Sequence, residues 1–140
     1  MRRLLRAAAA AAVTVAFYGH ALAQDYPAHT VTLIVPYPPG GGVDAMARVV
    51  AEKLAAGLGQ QVVVDNRAGG SGLIGTRAFI KSPPDGYTLF LGHTGSISIN
   101  PSLYTNAGFD PRKDFAPIGL IASMPVALLA HPSFPARTIG

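Results

Sequence analysis

The chain has 140 residues, of which 49% are hydrophobic and 13% are charged, and its formal net charge is +4. This composition excludes an intrinsically disordered chain, because disorder requires low hydrophobicity and a high net charge. The absence of cysteine excludes a disulfide scaffold, a thiolate zinc site and a lipid anchor on cysteine.

The first 23 residues have the three parts of a secretory signal peptide. Arg2, Arg3 and Arg6 form a positive start, residues 7–17 form an apolar run, and Ala21-Leu22-Ala23 is a small-x-small cleavage motif. The run is too short to span a bilayer, which requires about 20 apolar residues. We therefore predict a signal peptide at residues 1–23, cleavage after Ala23 and release into the periplasm without a lipid anchor.

Most of the net positive charge of the chain lies in this leader. The leader holds three of the eleven basic side chains, and the rest of the chain holds eight basic and seven acidic ones. The remaining charges are scattered and form no basic face with interleaved aromatic residues, so no nucleic-acid partner is expected.

Apolar runs and helical periodicities alternate after the leader. Strands are predicted at residues 31–35, 62–64 and 88–91, at the spacing of successive βαβ units. Such runs alternating with helices predict an α/β fold, with a parallel sheet that helices cover on both faces and with right-handed crossovers. The strand order is expected to be 2-1-3, as in other open sheets of this kind.

Helices are predicted between these strands. The first is closed by Gly57 and Gly59, and its apolar positions recur at helical intervals: Met46, Val49, Val50, Leu54 and Leu58. The second runs from Leu73 to Phe79 and is stopped by Pro83-Pro84, after which Pro84-Asp85-Gly86 predicts a turn.

Two more strands are predicted at Ile118 to Ala122 and Val126 to Ala130. Together they are too short for a membrane span and are interrupted by Pro125. The chain is expected to be the front part of a longer protein.

A glycine-rich loop follows each of the first three predicted strands, at residues 36–44, 68–72 and 92–96. Ligands bind at this edge of open parallel sheets, and loops that begin helices expose N–H groups that favour an anion. None of the three loops contains lysine or arginine, so we expect recognition by backbone and hydroxyl donors. Gly41 is expected to have a positive φ and to leave no room for a β-branched side chain. The strand order would place the first and third loops side by side and the second further out.

Chemical motifs are scarce. Gly70, Gly72 and Gly75 match G-x-G-x-x-G, which leaves open a secreted dinucleotide-binding enzyme, although no carboxylate follows the next strand at Gly92-His93. The sequence has no G-x-S-x-G, S-x-x-K, H-E-x-x-H or Gly-Lys-Ser/Thr pattern. We therefore expect no catalytic residue, no metal site and no cofactor.

Four polar residues near the loops have plain structural interpretations. His93 is favoured as a polar cap at a strand end, and Asp44 as a helix N-cap or first-turn acid. Arg67 and Arg77 are expected to be solvated or paired locally.

Four segments together resemble the Bug family of TctC-like periplasmic solute receptors, which serve tripartite tricarboxylate transporters. They are Pro36-Tyr37-Pro38-Pro39-Gly40-Gly41-Gly42-Val43-Asp44, Val64-Asp65-Asn66-Arg67 with Gly69-Gly70-Ser71-Gly72, Pro84-Asp85-Gly86-Tyr87-Thr88-Leu89, and Asn100-Pro101-Ser102-Leu103-Tyr104. The resemblance runs from about Tyr26 to the last residue. Two departures are Ser96-Ile97, where members often carry Thr-His, and Ala68, which replaces a common proline.

The resemblance implies a two-lobed fold of the type II periplasmic-binding-protein class. Such a receptor is roughly twice this length or more, is monomeric when complete, and captures a small carboxylate between its lobes for uptake without catalysis. Di- and tricarboxylates, amino acids and aromatic acids are candidate ligands, and membrane transporter subunits are implied partners. Residues 24–124 would form the first part of lobe one and residues 125–140 the start of the crossing into lobe two.

The resemblance also implies which residues line the cleft. The implied ligand-binding residues are Tyr37, Pro38, Pro39, Gly40, Gly41, Gly42, Asp44, Thr94, Gly95, Ser96 and Asn100. A second tier consists of Gly69, Gly70 and Ser71 in the second loop.

Overall fold

A computed structural model describes residues 26–124 and 127–135 of the chain. The leader predicted at 1–23 and its cleavage position lie outside these ranges.

The centre of the fold is a parallel sheet of three strands, β1 (Val31–Val35), β2 (Val62–Asn66) and β3 (Thr88–Phe90). Both neighbours pair in parallel with β1, so the order is β2-β1-β3. The α/β class and the 2-1-3 order predicted from the sequence are confirmed. Because β1 is enclosed between the other strands, Val31 and Val35 are fully buried.

The first helix, α1 (Gly42–Leu58), ends at Gly59, whose φ of 68° is the left-handed conformation that suits glycine. Gly57 lies inside the helix rather than closing it, contrary to the prediction. The helix packs on Leu33 and Val35 of β1 through its small residues, Ala47 and Ala51.

This contact corrects the predicted apolar face of α1. Val49 is 57% exposed, although it belongs to the predicted apolar stripe. Alanine side chains let the helix axis approach the sheet closely, which moves the larger side chains to the margins of the contact. Val50 accordingly packs on the core only while partly buried.

The second helix, α2 (Leu73–Ile80), covers the other face of the sheet. Phe79 of α2 stacks on Phe90 of β3 with ring centroids 5.2 Å apart, and both rings pack on Phe115. Because side chains alternate along a strand, Phe90 faces away from Leu91, which belongs to the α1 core. The expectation of helices on both faces is therefore confirmed.

The predicted turn at Pro84-Asp85-Gly86 is also present. The N–H of Tyr87 donates to the carboxylate of Asp85 at 3.0 Å, and Gly86 has a φ of 85°. This turn delivers the chain into β3.

The two strands predicted after residue 117 are not present in the described residues. Residues 118–122 and 127–130 have no strand structure, and residue 126 lies outside the described ranges. Leu120 and Leu129 are 88% and 86% exposed. An apolar run forms a strand only where a neighbouring strand accepts its hydrogen bonds, and none of the three described strands lies beside these residues.

In the described part of the chain, none of the helices is both long enough and apolar enough to cross a membrane.

Candidate functional site

The carboxyl ends of the three strands lead into three loops at one edge of the sheet. The first loop (residues 36–41) enters α1, and the second loop (residues 67–72) ends in a short 3₁₀ turn and enters α2. The third loop (residues 91–100) is more regular than predicted. It contains a π-helical turn at Gly95–Ile99 that continues into α3 (Asn100–Leu103), and the N–H of Asn100 donates to the carbonyl of Gly95.

Asp44 anchors the first loop. One carboxylate oxygen accepts the N–H of Gly40 at 2.9 Å and Nε of Arg48 at 3.0 Å, and the other accepts Nδ2 of Asn66 at 3.0 Å. These donors lower the pKa of Asp44 from 3.8 to about 2, the Gly40 N–H having the largest effect. The side chain is a first-turn acid, as expected, while the N-cap position belongs to Gly41. Both of its oxygens are used within the protein.

Asn66 is a residue of this edge that the sequence-based site prediction missed. Its Nδ2 donates both to Asp44 and to the carbonyl of Tyr37 at 3.1 Å, so the end of β2 holds the first loop from the side. The available signal was its position as the last residue of a parallel strand, where polar side chains face the loops.

The conformation of the first loop corrects one expectation about glycine. Gly41 has a φ of −83° and ψ of 169°, and a Cβ there would meet only the carbonyl of Pro38 at 3.8 Å. The glycine that requires a positive φ is Gly40, at 88°. The loop therefore turns one residue earlier than expected.

The first and third loops lie side by side, as predicted. The hydroxyl of Tyr37 is 3.4 Å from Nδ1 of His93, and the two rings are nearly perpendicular with centroids 5.7 Å apart. The N–H of Gly95 donates to the same Nδ1 at 3.2 Å. The His93 ring therefore caps the start of the π-helical turn rather than the end of β3, and it also contacts the first loop.

The two hydroxyl groups of the third loop have different environments. Ser96 is fully buried, and its Oγ donates to the carbonyl of His93 at 3.0 Å and lies 3.1 Å from the His93 N–H. Thr94 is exposed. Of these two predicted ligand-binding residues, Thr94 presents its side chain outward, while Ser96 uses its hydroxyl to close the turn.

The second loop lies closer to the third than expected. Nδ2 of Asn100, which is 2% exposed, donates to the carbonyl of Ser71 at 2.9 Å. A Cβ placed on Gly72 would be 3.0 Å from Cβ of Ser96. Strand order alone separates the second and third loops, but these contacts bring them together across the end of β1.

The G-x-G-x-x-G glycines serve internal packing. A Cβ on Gly75 would be 2.8 Å from both Cα of Pro36 and the carbonyl oxygen of Arg67, so this glycine lets α2 approach the end of β1. In a dinucleotide site the second glycine must leave room for the pyrophosphate. Here Ser96 and Pro36 occupy the space beside Gly72, which disfavours the dinucleotide alternative.

The two arginines are engaged locally. Nε of Arg67 lies 2.7 Å from the carboxylate of Asp65 in an exposed pair. Arg77 donates to the carbonyl of Ala107 at 2.8 Å and to that of Asn106 at 2.6 Å. Arg67 is paired as expected, and Arg77 joins α2 to the segment that follows α3.

The site is an exposed edge rather than an enclosed pocket. A groove of about 290 Å³ lies between α1 and β2, and another of about 480 Å³ lies beside α3. Neither is lined by the first or second loop. Within the described ranges, no three histidine, aspartate or glutamate side chains lie close enough together to hold a metal ion.

The sequence matches a known family over most of its length. The model of the tripartite tricarboxylate transporter family receptor matches residues 46–140. Protein BugT of Bordetella pertussis is 40% identical over 133 residues, which cover 94% of this chain and 41% of BugT. A protein encoded in the tcbD-tcbE intergenic region of Pseudomonas sp. strain P51 is 38% identical, over 91% of this chain and 38% of that protein. The chain thus spans about two fifths of the length of the curated relatives it matches.

Three solved structures, one of them a periplasmic binding protein, have the same fold over this part. The periplasmic binding protein BugD is 44% identical, with a TM-score of 0.65 over 67% of this chain and 31% of BugD. MatC from Rhodopseudomonas palustris with bound malate is 35% identical, with a TM-score of 0.64 over 66% of this chain and 31% of MatC. Rpa4515 from R. palustris with adipate is 42% identical, with a TM-score of 0.60 over 63% of this chain and 29% of that protein. Two of these three structures therefore hold a dicarboxylate.

Proposed function

This chain belongs to the tripartite tricarboxylate transporter receptor family, and we propose that the protein containing it is a periplasmic receptor that captures a small carboxylate for uptake without catalysis. The observation that carries the proposal is the convergence of the first and third loops at one edge of the sheet, where Tyr37 meets His93. The carboxylates bound to MatC and Rpa4515 support the ligand class.

The first loop offers backbone donors to such a ligand. The first N–H groups of a helix have no acceptor within the helix, and the positive end of the helix dipole favours an anion. In the loop before α1, the Gly40 N–H is already used by Asp44, which leaves the amides of Gly41, Gly42 and Val43 as candidate donors at the start of the helix. The negative charge of Asp44 at this end is offset by Arg48 at 3.0 Å. A carboxylate would therefore meet N–H groups rather than a basic side chain.

The third loop supplies side-chain donors. Thr94 is exposed and directly follows His93, whose ring contacts Tyr37, so we expect the hydroxyls of Thr94 and Tyr37 to face a ligand lying between the two loops. The second loop adds Gly69, Gly70 and Ser71 at the margin. These backbone and hydroxyl donors support recognition of the ligand by hydrogen bonds, and such bonds are stronger when the acceptor is a charged carboxylate.

The remaining features of the receptor extend the same proposal. Residues 1–23 would be an export signal cleaved after Ala23, residues 24–124 the first part of lobe one, and residues 125–140 the start of the crossing to lobe two. The complete receptor would be monomeric and would deliver its ligand to membrane transporter subunits. N-terminal sequencing of the protein from a periplasmic fraction checks the cleavage position, and a mature chain that begins elsewhere would contradict it.

Titration calorimetry of the full-length protein tests the function. The panel consists of malate, adipate, citrate, aspartate and benzoate, with NAD as the probe for the dinucleotide alternative. We expect saturable binding of at least one acid and none of NAD. Binding of NAD without binding of any acid would replace the proposal by the dinucleotide alternative.

A further inference from the structure

We propose that Asn100 is a positioning residue, which holds Ser71 in a left-handed conformation and so joins the second and third loops into one rigid binding edge. The inference rests on the proposed ligand-binding function of that edge. It assigns to Asn100 a different role from the direct ligand contact that the family resemblance implies.

Asn100 is fixed from three directions. Its N–H donates to the carbonyl of Gly95, its carbonyl accepts the N–H of Tyr104 at 2.9 Å, and its side-chain amide donates to the carbonyl of Ser71 at 2.9 Å. The residue is only 2% exposed. The side-chain amide therefore serves the second loop rather than open solvent.

Ser71 is the residue that needs such support. Its φ of 56° and ψ of 31° lie in the left-handed region, and no other non-glycine residue of the described ranges has a positive φ. This conformation is costly for a residue with a Cβ, because the Cβ approaches the following carbonyl oxygen. Gly70 and Gly72 on either side are also left-handed, with φ of 55° and 92°, so three successive residues depend on the same turn.

Tyr104 closes the arrangement. Its hydroxyl lies 3.2 Å from Oγ of Ser71, while its backbone N–H is bound by Asn100. Asn100, Ser71 and Tyr104 thus form a ring of three hydrogen bonds, which we name the loop clamp. Ser71 comes from the second loop, whereas Asn100 begins α3 and Tyr104 follows its last residue, so Ser71 is 29 residues from Asn100 and 33 residues from Tyr104 in sequence.

The loop clamp affects the binding edge through Gly72. Gly72 lies against Ser96, with only 3.0 Å between a Cβ placed on it and the Ser96 Cβ, and Ser96 in turn holds His93. If Ser71 relaxes to a right-handed or extended conformation, this contact shifts and the third loop loses its support. A ligand would then have to order both loops on binding, which lowers its affinity.

The test uses the full-length protein and three variants: Asn100→Ala, Ser71→Gly, and the double variant. Glycine adopts a positive φ at no steric cost, so it removes the need for the Asn100 amide at position 71. We expect Asn100→Ala to raise the Kd about tenfold for the acid that the unmodified protein binds most tightly among malate, adipate, citrate, aspartate and benzoate. In the Ser71→Gly background, we expect the same Asn100→Ala change to raise the Kd by no more than about threefold relative to Ser71→Gly. Ser102→Ala, at an exposed position of α3, serves as the matched control and should leave the Kd unchanged.

Hydrogen exchange provides a readout that needs no ligand. Exchange at residues 69–73 should rise about tenfold in Asn100→Ala relative to the unmodified protein but little in the double variant relative to Ser71→Gly, with no change at β1. If no acid binds the unmodified protein, the proposed function fails, while exchange still decides the role of Asn100.

Two results would overturn the inference. If Asn100→Ala raises the Kd as much in the Ser71→Gly background as it does alone, and leaves exchange at residues 69–73 unchanged, Asn100 contacts the ligand directly. If exchange rises equally in all strands, Asn100 contributes only to general stability. Should Asn100→Ala fail to fold, Tyr104→Phe, which removes only the hydroxyl beside Ser71, is expected to raise the Kd about threefold alone and to have no further effect in the Ser71→Gly background.

Discussion

The backbone N–H of Gly40 donates to the carboxylate of Asp44 at 2.9 Å, which fastens the first loop to the first turn of α1. The bond requires the chain to turn sharply, and Gly40 does so with a φ of 88°. A buried carboxylate, one loop amide, Arg48 and Asn66 therefore share a single network at the amino end of α1. Because this network depends on the conformation of Gly40, substitution of Gly40 should affect stability more than substitution of its neighbour Gly41.

Gly40→Ala is expected to destabilise the full-length protein by about 1–2 kcal/mol, because a Cβ is unfavourable at this φ. Gly41→Ala is the matched control, since its φ of −83° suits any residue and a Cβ has space around it. Urea denaturation measures both free energies of unfolding. Equal losses in the two variants would show that the first loop has a different conformation in solution.

Acid stability should depend on Asp44. The pKa of its carboxyl is 3.8 in the unfolded reference and about 2 in the folded chain, so the unfolded chain takes up the proton first as the pH falls. The ionised carboxylate therefore stabilises the fold above pH 3.8, and this contribution is lost progressively as the pH falls towards about 2.

Unfolding by urea at a series of pH values tests this dependence. The free energy of unfolding of Asp44→Asn should fall less steeply than that of the unmodified protein below pH 3.8. Glu52→Gln, at an exposed position of α1, is the control and should follow the unmodified protein. An Asp44→Asn profile parallel to the original would contradict the assigned network.

Gly75 should tolerate no side chain. A Cβ there would be 2.8 Å from backbone atoms of Pro36 and Arg67, so α2 would have to move away from β1. We expect Gly75→Ala to cost about 1–3 kcal/mol of stability. Gly57→Ala, inside α1 with open space around it, should instead stabilise the protein by up to about 1 kcal/mol. Thermal denaturation measures both effects: the Tm should fall in Gly75→Ala and rise in Gly57→Ala.

Substitution of Arg67 or Arg77 should leave ligand affinity unchanged, and only the substitution of Arg77 should lower stability. Neither belongs to the proposed ligand contacts, so replacement of either by glutamine should leave the affinity for the acids of the panel nearly unchanged. Arg77→Gln should still lower stability by about 1 kcal/mol, because its guanidinium serves two carbonyls, whereas Arg67→Gln removes only an exposed pair. Loss of carboxylate binding in either variant would indicate an ion pair with the ligand.

Removal of the two hydroxyl groups of the third loop should have different effects: loss of the Thr94 hydroxyl should lower affinity, and loss of the Ser96 hydroxyl should lower stability. Thr94→Ala is expected to raise the Kd for the bound acid about tenfold with no change in stability, because the side chain is exposed. Ser96→Ala should lower stability by about 1 kcal/mol, because its buried hydroxyl holds His93. Calorimetry and urea denaturation on the same samples distinguish the two effects. Thr94 is not a ligand contact if its replacement leaves the Kd unchanged.

The sequence alone was sufficient to predict the three strands and the first two helices around the site, but not the π-helical turn and α3 in the third loop. The strand predicted at residues 31–35 is the strand observed, and Gly59 closes α1 as its position indicates. Such signals are local: apolar runs, glycine at a helix end and proline after it act on their own neighbours along the chain. The order β2-β1-β3 agrees with the 2-1-3 order expected for an open parallel sheet of this class.

Only the tertiary structure decided which side chains of the site are exposed to a ligand and which are used in hydrogen bonds that hold the loops. Asp44 meets Asn66 and Asn100 meets Ser71 across 22 and 29 residues, and neither pairing has a local pattern that predicts it. The same holds for the left-handed Ser71 and for residues 118–122, whose apolar run forms no strand here. Hydrogen-bond partners of buried polar groups depend on which segments the fold brings within about 3 Å, and that distance is set by the packing of the whole domain rather than by the neighbouring residues in the chain.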